Sequence, residues 1–403
     1  MRGPAGLDGT AVRGSSTKTI LVSQIAIDET VNRVRRKVEM TPKVAIAGFG
    51  KAGKSSLFNA IYGEEKAAVS MRTDQTQATQ TETRFGIDFT DTPGIGTGAF
   101  SLEKVQQMAV FDKQHVVIHV LNGTSAISAE DEALHRAIER SSARRLTVVN
   151  KMDLMDDAER AEFAESMDEK LGLHESDFIF VSAKRKTHID TLVQRIADVL
   201  PAAMRDAFIG QQRADIRLKE QRIRLLIYTK ATLCAGVALT PVPVADMALI
   251  TPMQIAMVTA IGYFHGIKVS KDRALELLSV LGIGFGLREA ARQLVKLVPG
   301  FGSVVSAAVA FSGTVALGET ANAWFKSQMR LSADELRETF KNAAEAARAE
   351  YGAHKDAAEA TGATLTSLER KRRDGALSDT QFEAKLGEVL AGDANARGAD
   401  RDP

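Results

Sequence analysis

Cysteine is almost absent from this chain: Cys234 stands alone among 403 residues, so no internal disulfide can form and no Cys/His grouping has the spacing of a zinc site. Such usage suits a reducing, cytoplasmic setting. A charge excess is lacking too. Lys and Arg number 52 against 51 Asp and Glu, so no global field draws the chain to nucleic acid or an anionic surface, and any partner has to be recognised locally. The N-terminal stretch has no apolar run of the secretory kind, and residues 1–18, rich in glycine and small side chains, read as a disordered leader. No long internal repeat is visible. With 44% hydrophobic and 26% charged residues, wholesale disorder and a fibrous chain are excluded, and the length predicts two or three folding units.

What is present alternates, then changes character. Residues 19–42 carry Ile20, Ile27, Val31, Val34 and Val38 at roughly helical spacing and read as an amphipathic helix. Residues 43–47 read as a strand, followed by a glycine loop and a helix over 55–62 closed by Gly63. Apolar runs at 87–90, 115–121, 146–149 and 178–181 then alternate with helix-patterned stretches at 102–111, 129–140, 158–171 and 189–200. This pattern predicts an α/β unit over 43–200, a doubly wound, mostly parallel sheet with helices on both faces. Beyond Pro201 strand alternation ceases, and 201–330 reads as an all-α apolar domain, followed by an amphipathic helix at 331–362 and a short helical module at 363–403.

Chemistry concentrates at strand ends. Gly48, Gly50, Lys51, Ala52, Gly53, Lys54 and Ser55 fall in a G-x-x-x-x-G-K-S motif between a strand and a helix, with Ser56 next. Glycines there let main-chain amides turn onto a phosphate, Lys54 reaches β/γ oxygens, and the Ser55 hydroxyl suits Mg²⁺. Asp91-Thr-Pro-Gly94 follows a strand, placing a carboxylate for the metal and the Gly94 amide for a terminal phosphate. Asn150, Lys151 and Asp153 follow the next-but-one strand. An acid at 153 can accept from guanine N1–H and its exocyclic amine, favouring guanine over adenine, and Ser182, Ala183 and Lys184 complete a base pocket. His115 and His119 share a strand face without a third metal ligand and read as core or edge histidines.

Four motifs in this order resemble the translation-factor-related GTPases, and the phrase Gly53-Lys-Ser-Ser-Leu-Phe-Asn-Ala60 is similar to the Era-like branch, over about residues 43–200. The resemblance implies a P-loop GTPase fold binding GTP or GDP with Mg²⁺, and hydrolysis of GTP to GDP and phosphate by a switch linked to a membrane or a partner. A soluble ribosome- or RNA-associated GTPase and a self-assembling, dynamin-like membrane remodeller are the rival readings. It also implies a switch threonine on the metal, Thr79 or alternatively Thr76, beside Ser55 and Asp91, so the candidate catalytic residues are Lys51, Lys54, Thr79 and Gly94. Two departures stand out. Ile95 occupies the place of a water-orienting glutamine, which implies another device or slow turnover. Lys51 stands where many potassium-stimulated relatives carry asparagine; a transition-state cation and a solvated loop lysine are both open readings.

In 231–267 the only acidic or basic residue besides His265 is Asp246, and 297–318 has none. Pro241 and Pro243 predict two helices, the second starting near Asp246, which reads as a helix cap. Lengths near the ~20 residues of a bilayer span leave a membrane segment and a buried helical core both open. The stretch 229–325 resembles a poorly characterised, predicted-membrane domain found behind bacterial Era-like GTPase domains, and Gly282, Gly284 and Gly286 read as packing glycines. The end resembles a short C-terminal helical hairpin broken at Gly375 and capped by Ser378, with Phe382, Leu386 and Leu390 as its stripe. Expected partners are a guanine nucleotide, a membrane through 231–318 at the inner face of the cell membrane, and a protein or second copy through the tail. No nucleic-acid partner is evident, since the tail lacks a basic surface with aromatics.

Overall fold

In the computed structural model the described residues are 42–63, 80–84, 87–91, 111–240, 245–267, 269, 271–280 and 302–391. The leader, the helix expected over 19–42 up to residue 41, Thr76, Thr79, Gly94, Ile95 and the glycines at 282–286 lie outside them. The chain divides into two compact units, and the boundary between them falls at Gln221/Arg222.

The first unit is built on a six-stranded sheet among the described residues: β1 (Lys43–Ala47), β2 (Gln80–Arg84), β3 (Ile87–Asp91), β4 (Val116–Asn122), β5 (Arg144–Asn150) and β6 (Phe178–Val181), in the order β2-β3-β1-β4-β5-β6. All neighbours are parallel except β2, which runs antiparallel to β3 at the edge. Val44, Ala45, Ala47, Val116, Val117, Ile118 and Val120 are wholly buried, which explains why β1 and β4 are continuous apolar runs rather than alternating ones. β1 has β3 on one side and β4 on the other, so the strand order reverses beside it. The carboxyl end of β1 is therefore the place where ligands bind in sheets of this type.

Helices α1 (Lys54–Tyr62), α2 (Ala129–Glu139), α3 (Asp157–Leu171) and α4 (Ile189–Val199) follow their strands. Capping boxes Ser128/Asp131 and Asp156/Glu159 start α2 and α3, and Gly172 in the left-handed region ends α3. Pro201 ends one helix and precedes another, α5 (Ala202–Gln211), without ending the unit. Ala207, Phe208 and Ile209 are buried, and Phe208 meets the ring of Tyr62 edge-on at 6.4 Å, so α5 stays with the sheet rather than opening the second domain as expected.

The second unit is helical. α6 (Ile216–Ala238) enters it, followed by α7 (Ala245–Phe264), α8 (Lys271–Val280), α9 (Gly302–Lys326), α10 (Ala333–Arg373) and α11 (Asp379–Ala391). α6 ends before Pro241 and α7 begins at Ala245, as the two prolines predict. The apolar segments bury one another: Ile255, Met257, Val258 and Ile261 of α7 and Ala307, Phe311, Ala316 and Leu317 of α9 are inaccessible. A helix apolar on all sides is an interior helix, in protein as in lipid. Among the described residues no helix is long and apolar enough to cross a membrane. Small residues permit close crossings. A Cβ on Gly236 would stand 2.6 Å from the Thr361 side chain and 2.9 Å from the Ala358 carbonyl, and one on Gly362 would stand 3.0 Å from the Gly236 carbonyl. Gln254 donates to the Thr314 hydroxyl at 3.0 Å, satisfying both groups inside the core.

α10 is one helix running through the break expected near residue 362, started by the Ser332/Glu335 capping box. Gly375, at φ +73°, lets the chain reverse, and Ser378 accepts from Gln381 N–H at the start of α11. α11 folds back: Leu386, Val389 and Leu390 pack against Leu233, Cys234, Val237, Met253 and Leu365. Phe382 lies under the Arg372 guanidinium.

Both strand histidines are structural. His115 Nδ1 accepts from Lys43 N–H at 2.9 Å. His119 is fully buried beside His135, and neither of its ring nitrogens has a hydrogen-bond partner among the described residues. Burial, with the His135 ring and Arg145 adding to it, pushes His119 down to about 3. Because the unfolded imidazole titrates near 6.5, the unfolded chain takes up a proton that the folded one refuses. This contribution to stability is intact above about pH 6.5 and declines as pH falls toward 3. We expect urea unfolding of the first unit to show a loss of about 2 kcal/mol at pH 5 from His119. His119→Leu should flatten that slope; an unchanged slope would contradict the assignment.

Candidate functional site

The loop after β1 can only be built from glycine at two places. A Cβ on Gly48 would lie 2.3 Å from the Val120 carbonyl oxygen, so β1 leaves the sheet grazing β4. Gly53 sits at φ +89°, and a Cβ there would fall 2.3 Å from Asn150 Nδ2. Between them Gly50 borders open space, Lys51 takes φ +66° and is exposed, and Ala52 is buried with its N–H on the Phe49 carbonyl at 3.3 Å. Lys54 Nζ reaches back to the Gly48 and Phe49 carbonyls at 2.9 and 3.3 Å, bracing the loop from within. α1 then starts on Gly53 with no side-chain cap, so its first amides and its positive end suit an anion. Ser55 and Ser56 are exposed on that first turn.

A second loop meets the first through one side chain. Asn150 ends β5 and is 2% exposed; its Nδ2 donates to the Ala52 carbonyl at 2.9 Å and its Oδ1 accepts from Ala183 N–H at 3.0 Å. Lys151 follows at φ +72°, opening a short turn that presents Asp153. The Ser182 hydroxyl donates to Asp153 Oδ1 at 2.6 Å and accepts from Arg185 N–H at 3.0 Å, while its backbone pairs with Thr187. Ser182 is buried, Lys184 exposed, and the second Asp153 oxygen has no hydrogen-bond partner among the described residues.

The structure therefore brings Gly48, Gly50, Lys51, Ala52, Gly53, Lys54, Ser55, Asn150, Lys151, Asp153, Ser182, Ala183 and Lys184 to one end of the sheet. Asp91 ends β3 in register with Ile46, which sets its backbone at the same end. Of the expected metal ligands, Ser55 alone has a described side chain. Asp91 is placed by its backbone, and Thr79 and Gly94 lie outside the described residues. Among the described residues no cluster of three or more His, Cys, Asp or Glu could hold a metal ion. The joint held by Asn150 was not identifiable from the motifs, since it depends on loops distant in sequence.

This arrangement is that of a P-loop GTPase domain. Residues 43–151 match the family described as 50S ribosome-binding GTPase, and 210–348 match a domain of unknown function (DUF697). GTPase Der of Thermotoga petrophila is similar to the chain, 34% identical over 169 residues, covering 38% of each protein. The tRNA modification GTPase MnmE of Bacteroides fragilis is 31% identical over 161 residues, covering 38% of this chain and 34% of that protein. The chain thus spans well under half the length of these relatives. A solved structure of Era in complex with MgGDPNP and a segment of 16S ribosomal RNA aligns at 22% identity and a TM-score of 0.31, covering 40% of this chain and 57% of that one. The GTPase match implies GTP or GDP with Mg²⁺ as the ligands of the first unit. The glycine cradle, the uncapped helix start and the exposed Ser55 hydroxyl fit them.

Asn150→Ala would leave the Ala52 carbonyl and the Ala183 amide unpaired in a buried site. We expect a loss of about 2 kcal/mol in stability and, because the loops then separate, at least tenfold weaker GDP binding by titration. Unchanged binding would show that the loops hold without this side chain.

Proposed function

We propose that the chain is a guanine-nucleotide switch that hydrolyses GTP to GDP and phosphate in its first unit and delivers its output through the helical unit. The observation that carries this reading is the Asp153 carboxylate, half held by Ser182 and joined through Asn150 to a braced phosphate loop. Main-chain amides of the loop and the start of α1 orient the β-phosphate, and Lys54 neutralises charge toward the γ-phosphate. Ser55, Thr79 and Asp91 would hold Mg²⁺, which when bound offsets charge across the β- and γ-oxygens. By the resemblance, the Gly94 amide would contact the γ-phosphate. Asp153 selects the base: Asp153→Asn replaces an acceptor with an amide that suits xanthine's 2-oxo group. Titrations should then show about 10²-fold weaker GDP binding and a gain for xanthosine diphosphate. Parallel losses for both would mean that Asp153 does not read the base.

Lys51 acts as the cation that a switch glutamine would otherwise make unnecessary. Its left-handed backbone and exposure at the crest of the loop support that role. Single-turnover hydrolysis by Lys51→Ala should slow at least tenfold, an order of magnitude in line with other positioned cations; an unchanged rate would retire the idea.

The output is partner-linked. Mutual burial of the apolar helices and the absence of a spanning helix among the described residues support a partner over a bilayer crossing, and vesicle flotation with and without GTP separates the two. An RNA-associated role is the second reading, favoured by the names of the matched family and of one relative, which refer to the ribosome and to tRNA modification.

A further inference from the structure

Two buried polar residues that the nucleotide site does not use, Gln212 and Asp215, lie in residues 212–215, the link between α5 and α6. Gln212 and Asp215 are 0% and 3% exposed. The Gln212 side chain brackets the Asp215 backbone, donating to its carbonyl at 2.6 Å and accepting from its N–H at 2.8 Å. The Asp215 carboxylate accepts from Leu218 N–H at 2.9 Å, capping α6, and from Gln194 Nε2 of α4 at 2.9 Å. Between them, Arg213 N–H donates to the Ile61 carbonyl at 2.9 Å, in the last turn of α1. Lys219 Nζ returns to the Gly210 carbonyl at 2.9 Å. The buried Gln212 and Asp215 side chains are satisfied by these bonds, which makes the link stiff and sensitive to the position of each member.

The elements so joined form a path. α1 would receive the phosphates at its first turn, and its last turn is fastened to the link by the Ile61 carbonyl and to α5 by Tyr62 against Phe208. The link caps α6, and the division between the units falls inside α6, so the chain passes from one to the other in helical conformation. Any displacement of α1 on nucleotide exchange would reach the link that caps α6 through the Arg213–Ile61 backbone hydrogen bond.

We propose that the Gln194–Gln212–Asp215 knot is the relay by which the nucleotide state of the phosphate loop sets the conformation of α6 in the helical unit. The proposal rests on the guanine-nucleotide reading and names how that site is coupled. Coupling is reciprocal: a partner that binds the helical unit in one state changes nucleotide affinity by the same factor. Gln194, Gln212 and Asp215 are positioning residues, acting through α1 and α6 without touching the ligand.

The test uses the full chain with Mg²⁺ and either GDP or a non-hydrolysable GTP analogue, reading amide hydrogen exchange over residues 222–238. Wild type should show exchange that differs at least about fivefold between the two states, the lower end of ordinary coupling factors. Asp215→Ala and Gln194→Leu should erase the difference while binding GDP within about threefold of wild type. Asp215→Asn, which can still cap α6 and meet a reoriented Gln194, should restore it. If Asp215→Ala does not fold, Gln194→Leu, which leaves the cap in place, decides. A wild type that binds GDP yet exchanges identically in both states, or variants that keep the difference, overturns the relay alone. A wild type that binds no guanine nucleotide removes the underlying reading and the relay with it.

Discussion

The nucleotide site depends on one carboxamide. Asn150 is held inside the first unit with its amide nitrogen on the Ala52 carbonyl and its oxygen on the Ala183 amide, so a loop near residue 50 and another near residue 183 are fixed to each other by a group on the strand between them. Much else follows from that placement. Gly53 has to be glycine because the Asn150 amide occupies the space a Cβ would take. Ser182, brought near by its neighbour Ala183, reaches Asp153 and orients its carboxylate. A phosphate loop and a base pocket read as separate motifs thereby become one site.

The helical unit depends on a different constraint, the close approach of backbones. Gly236 and Gly362 bring α6 against α10, and Gly318 admits the Ile227 side chain, for which a Cβ would be 2.6 Å away. The resulting interior is apolar, with the Gln254–Thr314 pair as a polar tie. Burial pushes the Cys234 thiol up to about 12, so the single cysteine is a packing residue kept from reaction by its surroundings. α11 closes the end of this interior rather than extending as a solvated tail, and Lys230 holds it by donating to the Leu390 carbonyl at 2.9 Å.

Much of the first unit was legible because its signals are local. Strand, glycine loop and helix succeed one another at 43–62, and the apolar runs that became β4, β5 and β6 are continuous because those strands are covered on both faces. The edge strand β2 was not legible: Gln80, Thr81, Glu82, Thr83 and Arg84 carry no apolar face, and pairing with β3 alone defines it. Pro201 marked a helix boundary correctly but not a unit boundary, since the packing of Phe208 on Tyr62 is tertiary. The membrane question could not be answered from pattern, because an interior helix of a bundle and a spanning helix are both apolar all round. In α10, alanine and paired charges carry the helix past the break expected near residue 362, and Gly362 serves a crossing there.

The central claim is that these loops form one pocket for a guanine nucleotide. Calorimetric titration of the purified chain with GDP and, separately, ADP in magnesium buffer tests it most directly. The account predicts one site per chain for GDP and at least a hundredfold weaker binding of ADP. Equal binding of the two, or heat from neither, would contradict it.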